Sequence, residues 1–146
     1  MFAAAVAAQS PLVELTVDGE PLGKRYVLRV PDPWNQSLVI GAHGGGGGNN
    51  FDRKGNVIGT DETALDDVIG RYALEKAFAY ASFDRDASGG GRNGLSMTTQ
   101  FTDFVRGELV KRGKGTPLRT YVVGLSAGGG IARQAAEMVP TPFDGA

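Results

Sequence analysis

Thr120-Tyr121-Val122-Val123-Gly124-Leu125-Ser126-Ala127-Gly128-Gly129-Gly130 is the stretch that decides how this chain folds. An apolar, β-branched run stops at a glycine. After one intervening residue comes a serine, then alanine and three glycines, and then a helical pattern. The order predicts strand, sharp turn and helix, with a hydroxyl at the apex, and residues 124–128 match the G-x-S-x-G elbow. The glycines have a mechanical reason. In so tight a turn, a Cβ two residues before or after the serine would collide with the neighbouring strand and helix. The first N–H groups of the helix have no intrahelical partner, so they can face negative charge that develops beside the hydroxyl.

Upstream, residues 12–17 alternate and lead into Asp18-Gly19, a hairpin turn signal. Residues 25–30 then predict a second, antiparallel strand that stops at Pro31-Asp32-Pro33. Residues 37–42 form a short continuous apolar run, as suits a strand buried on both faces. Between residues 61 and 77, Leu65, Val68, Ile69, Tyr72 and Ala73 recur at helical spacing behind acids in the first turn. Residues 78–83 predict a strand and 84–94 a loop. A helix from Ser96 or Met97 to Arg112 follows, with Phe101, Phe104, Val105 and Leu109 on one face, stopped by Gly113, Gly115 and Pro117. The helix after Ser126 should run to about Val139 and end at Pro140. The order β-β-β-α-β-α-β-α predicts an α/β fold with a mostly parallel sheet and an antiparallel N-terminal hairpin. Reactive groups in such sheets gather beyond the carboxyl ends of the strands, so Gly44, Asp84 and Ser126 should share one rim.

Composition narrows the chemistry. The 146 residues suffice for one domain with a core, placed at 12–146, and the net charge is −1 without a basic block, which gives no sign of nucleic acid. There is no cysteine, which excludes disulfides, thiol nucleophiles and thiolate metal sites, and the single histidine, His43, excludes a multi-histidine metal centre. No stretch is long enough to span a membrane. Residues 1–11 are small and apolar with an A-x-A at 5–7. They fit either a signal-peptide remnant, implying a secreted or periplasmic protein, or a disordered alanine-rich tail on a cytoplasmic one.

His43-Gly44-Gly45-Gly46 directly follows the third predicted strand and matches the HGGG-type loop that supplies an oxyanion N–H. Bare glycines let main-chain N–H groups approach a reacting oxygen closely. A phosphate-binding P-loop would continue into Gly-Lys-Ser/Thr, whereas Asn49-Asn50-Phe51 stands here. Residues 89–94 formally satisfy G-x-G-x-x-G, but they come late after their strand and the next strand ends at Gly124 rather than at an acid. A nucleotide-binding oxidoreductase is therefore the weaker alternative, and a rim loop the plainer reading of 89–94. Asp84 and Asp86 could ligate a metal, but two acids on a loop are ordinarily solvated. No cofactor is expected.

On these motifs the chain resembles an α/β-hydrolase-fold serine esterase. Residues 121–130, Thr141-Pro142-Phe143-Asp144-Gly145 and Pro33-Trp34-Asn35 are most similar to the tannase, feruloyl esterase and polyhydroxyalkanoate depolymerase groups. The resemblance implies that Ser126 is the nucleophile, with oxyanion donors at Ala127 and in the Gly44, Gly45, Gly46 loop. It also implies hydrolysis of a small-molecule or polymeric ester through an acyl-enzyme, and a third strand lying beside the fifth. The strand at 120–124 would be internal in such a fold, so its outer edge is expected to be unpaired and aggregation-prone here. One departure is large. The triad of this fold runs Ser, then Asp or Glu, then His, yet among the twenty residues after Ser126 there is no histidine and the only acids are Glu137 and Asp144. Three explanations compete: an N-terminal fragment that is inactive alone, His43 serving as base, or a non-catalytic binding protein on the same fold.

Overall fold

The strand at Ser37–Ala42, every residue of it buried, sits between two parallel neighbours and anchors the molecule. A computed structural model describes residues 12–19, 26–44, 65–83 and 91–146. Five strands form one sheet: β1 Leu12–Gly19, β2 Tyr26–Asp32, β3 Ser37–Ala42, β4 Ala79–Phe83 and β5 Arg119–Gly124. Their order across the sheet is β1-β2-β4-β3-β5. A π-helical segment, Asp66–Gly70, continues into α1 Arg71–Glu75, and two longer helices follow, α2 Gly91–Lys111 and α3 Ala127–Glu137.

The sheet is evenly mixed rather than mostly parallel. β3 runs parallel to β4 and β5, while β1–β2 and β2–β4 are antiparallel. β2 and β3 therefore run in opposite directions without pairing, and β4, carried back by α1, lies between them, antiparallel to β2 and parallel to β3.

Asp18 and Gly19 do not form the hairpin turn. They pair with Val27 and Tyr26 inside the ladder, and residues 20–25, between the two strands, lie outside the described residues. The pairing is irregular between Val13 and Leu15, where one strand carries an extra residue.

Strand alternation divides the core into two faces. Leu28 and Val30, Leu38, Ile40 and Ala42, Ala79, Ala81 and Phe83, and Val122 point to the side covered by α2 and α3, where Phe101, Val105, Leu109, Ile131 and Ala135 meet them. Phe101 stacks on Phe83 with ring centroids 4.6 Å apart, and Phe104 packs on the margin of this core. Val27, Val39 and Tyr80 face the opposite side, toward α1 and its Ala73.

Two helices depart from their expected outlines. α2 begins at Gly91, so Gly91, Arg92, Asn93 and Gly94 are helical rather than a rim loop, and residues 84–90 lie outside the described residues. Buried Thr98 returns its hydroxyl to Gly94 O at 2.8 Å, and Thr102 to Thr98 O at 2.8 Å, which satisfies polar groups under the sheet. Ahead of α1 the inward face is also different. Val68 and Tyr72 are largely exposed, and the buried positions are Leu65, Asp66, Gly70, Ala73 and Leu74. The wide π turn rotates the face, and a paired acid with a bare glycine goes inside where apolar spacing put Val68 and Tyr72.

The outer edge of β5 is partly covered. Asp144 N–H donates to Thr120 O at 2.7 Å, Val122 N–H donates to Gly145 O at 3.1 Å, and Tyr121 and Gly145 form a parallel bridge. Arg106 of α2 donates to both Thr120 Oγ1 (3.0 Å) and Pro142 O (2.7 Å), binding this returning segment to strand and helix. The expectation of a bare edge is corrected to that extent.

Candidate active site

At the end of β5 the chain passes from strand to helix through Ser126, whose φ of 55° and ψ of −120° are rarely tolerated by a residue with a side chain. A backbone of this kind costs about 1–3 kcal/mol and persists only where its surroundings over-determine it. The surroundings are glycine. A Cβ on Gly124 would overlap the Gly128 carbonyl, and a Cβ on Gly128 would overlap the Ala42 carbonyl at the end of β3. Leu125 N–H donates to Ala42 O at 3.2 Å and binds the turn to that strand. Ser126 stands at the N-cap of α3, yet its side chain makes no capping hydrogen bond. The hydroxyl of an exposed residue is held in a strained turn without the usual local role of a cap serine.

Gly44 lies directly against this turn. A Cβ there would sit 2.8 Å from Ser126 Cβ, 2.9 Å from Leu125 O and 3.5 Å from Ser126 Oγ. Only glycine fits without displacement, and its main chain thereby borders the serine hydroxyl. The head of α3 approaches from the other direction. Gly128 and Gly129 N–H are committed to Leu125 O and Ser126 O, each at 2.9 Å. The Ala127 N–H ahead of them has no backbone acceptor among the described residues. Ser126, Gly44 and Ala127 are thus brought together, while Gly45, Gly46, Phe51, Asp84 and Asp86 lie outside the described residues.

His43, next to Gly44, leads to a group that the sequence did not reveal. Its ring is 3 % exposed and its Nε2 lies 3.3 Å from Oδ2 of Asp66, which is 1 % exposed. The other oxygen, Oδ1, accepts hydrogen bonds from Tyr80 OH and Ser82 Oγ, each at 2.6 Å. Two glycines make the slot for the tyrosine. A Cβ on Gly41 would run into the Tyr80 hydroxyl, and one on Gly70 would stand 2.9 Å from its ring. The available signal was Tyr80 and Ser82 two apart on one face of an otherwise apolar strand, which calls for a buried polar partner.

Burial first, and the adjacent Asp66 second, push the Tyr80 hydroxyl well above the ordinary tyrosine range, so it remains a donor. Linkage gives the sign. The folded protein keeps this proton where the unfolded chain releases it, so the contribution is intact below about pH 10 and is lost as pH rises beyond it. Denaturant midpoints should therefore fall above that pH at about 1.4 kcal/mol per unit for this one group. Tyr80→Phe should remove that component of the slope, and an unchanged slope would contradict the assignment.

Neither acid downstream of Ser126 reaches it. Glu137 sits in the last turn of an eleven-residue helix, beside Arg133 at 3.9 Å. At about 1.5 Å per residue this is roughly 15 Å from the helix head. Asp144 Oδ2 accepts the Thr120 N–H at 2.7 Å, at the opposite end of β5. Among the described residues no group of three or more His, Asp or Glu could hold a metal, and no helix is long and apolar enough to cross a membrane. Gly91 and Gly94 lie in the first turn of α2, and Gly89 and Gly90 lie outside the described residues. No protein-family model matches the chain, and no curated protein matches it.

Proposed function

We propose that the chain carries the nucleophile and oxyanion site of a serine ester hydrolase of the α/β-hydrolase class. The observation that carries this reading is the strained Ser126, uncommitted as a cap, with Gly44 packed against it. The position of β3 beside both β4 and β5 supports it, as does the pair of glycines that the turn cannot do without.

In this reading Ser126 Oγ attacks the ester carbonyl carbon and loses its proton to a base. The carbonyl oxygen becomes an oxyanion that the Ala127 N–H and the Gly44 loop stabilise. Collapse expels the alcohol and leaves acyl-Ser126, which water then hydrolyses. Removing one such donor from a hydrolase costs about 10²–10³ in rate. The base is the missing element. No histidine follows Ser126, and His43 has its Nε2 turned to Asp66. The 146-residue chain should therefore show only the residual acceleration of binding and oxyanion hole, about 10³–10⁴ over water. A non-catalytic binding protein on the same scaffold is the second reading, favoured by the commitment of His43 Nε2 to Asp66.

p-Nitrophenyl acetate separates the two. The hydrolase reading expects slow release of nitrophenol that Ser126→Ala lowers further. Release unaffected by Ser126→Ala supports the binding protein. Stabilisation of the chain by NAD would instead point to the oxidoreductase.

A further inference from the structure

We infer that Asp66 is a positioning residue for the oxyanion loop, acting through His43 on Gly44, an inference whose functional meaning rests on the hydrolase reading. His43 is gripped from two sides. Its carbonyl lies under α3, where a Cβ on Gly128 would come within 2.8 Å of it, and its ring lies on the opposite side of the sheet against Asp66. The residue that follows is Gly44, the one set against Ser126. Rotation of the main chain at 43 would shift the Gly44 amide, so whatever fixes the ring also fixes that amide.

The carboxylate is built to do this. Tyr80 and Ser82 both donate to Oδ1 from rigid β4, and Oδ2 is turned toward the imidazole. Tyr80 is in turn wedged between Gly41 and Gly70. A carboxylate can only accept, so a proton must occupy the Nε2 that faces it. The ring tautomer is set by Asp66, and the orientation of the Gly44 amide follows from it. The groups on this carboxylate come from β3, β4 and the π-helical segment, whose wide turn carries Asp66 and Gly70 inward together. A single acid therefore couples the helix over one sheet face to the serine turn at the sheet's end.

The single histidine makes the test clean. Nitrogen NMR of the folded chain should show Nε2 protonated, and Asp66→Asn should change that pattern. In the same variant the Gly44 amide resonance should move, while those of Phe101 and Val122 in the main core keep their positions. An unmoved Gly44 resonance, or an equal movement throughout the core, would overturn the inference. If Asp66→Asn does not fold, Ser82→Ala removes one donor from the same carboxylate. It should move the Gly44 resonance selectively by a smaller amount, and no selective movement would be equally contradictory. Neither readout depends on turnover, so a lack of ester chemistry at Ser126 would leave this result standing.

Discussion

Gly128→Ala is expected to abolish the folded state. The added methyl would enter the carbonyl of Ala42, with His43 O also within 2.8 Å, and both obstacles are main chain of the central strand β3. Overpacking a core with flexible neighbours costs about 1–3 kcal/mol. Here nothing flexible can yield, and the loss should exceed about 3 kcal/mol, a large part of the 5–15 kcal/mol that typically holds a domain together. Gly130→Ala, two residues along the same helix, is the control. A Cβ there meets nothing within 4 Å, and alanine gains about 0.5–1 kcal/mol over glycine in a helix interior. Urea titration of the two variants should show one without a folding transition and the other with a raised midpoint. A cooperatively folded Gly128→Ala would mean that α3 does not press on β3 as described.

Ser126→Gly is expected to stabilise the protein while removing the hydroxyl on which the proposed acyl transfer depends. Glycine adopts the φ of 55° found here without steric penalty, which relieves about 1–3 kcal/mol of strain. The greater freedom of glycine in the unfolded chain takes back about 0.5–1 kcal/mol. The net rise should be about 1 kcal/mol, read as a higher denaturant midpoint. A gain of stability on removing the hydroxyl is the mark of a residue kept for reactivity at the expense of folding. A drop would indicate that the serine side chain holds the turn together and would weaken the case for a nucleophile.

Much of this arrangement was legible in the sequence because local chemistry had one solution. The run 37–42 has no polar residue between Ser37 and Ala42, and it forms the fully buried β3. The glycines flanking Ser126 pointed to a sharp strand-to-helix turn, and Gly44 could be placed beside it because both follow strands that end on one rim. What escaped notice depended on partners far apart in the chain. Asp66 looks like an ordinary helix-start acid until Tyr80, Ser82 and His43 surround it, and its burial turns the helix that follows so that Val68 and Tyr72 face outward. The evenly mixed sheet escaped for a similar reason. Whether β2 pairs with β3 or with β4 is a long-range choice that the local sequence does not determine. Asp18-Gly19 misled because both residues are still paired as the last two of β1, opposite Val27 and Tyr26.

The central claim concerns one hydroxyl, and the site of acylation tests it most directly. After exposure of the whole chain to p-nitrophenyl acetate, trypsin separates the peptide holding Ser126 from the one holding exposed Ser96. Acetyl should accumulate on Ser126 at least about 10²-fold faster than on Ser96, the advantage that an oxyanion donor confers. Equal labelling of the two serines, or acetyl on Ser96 with none on Ser126, would contradict the account.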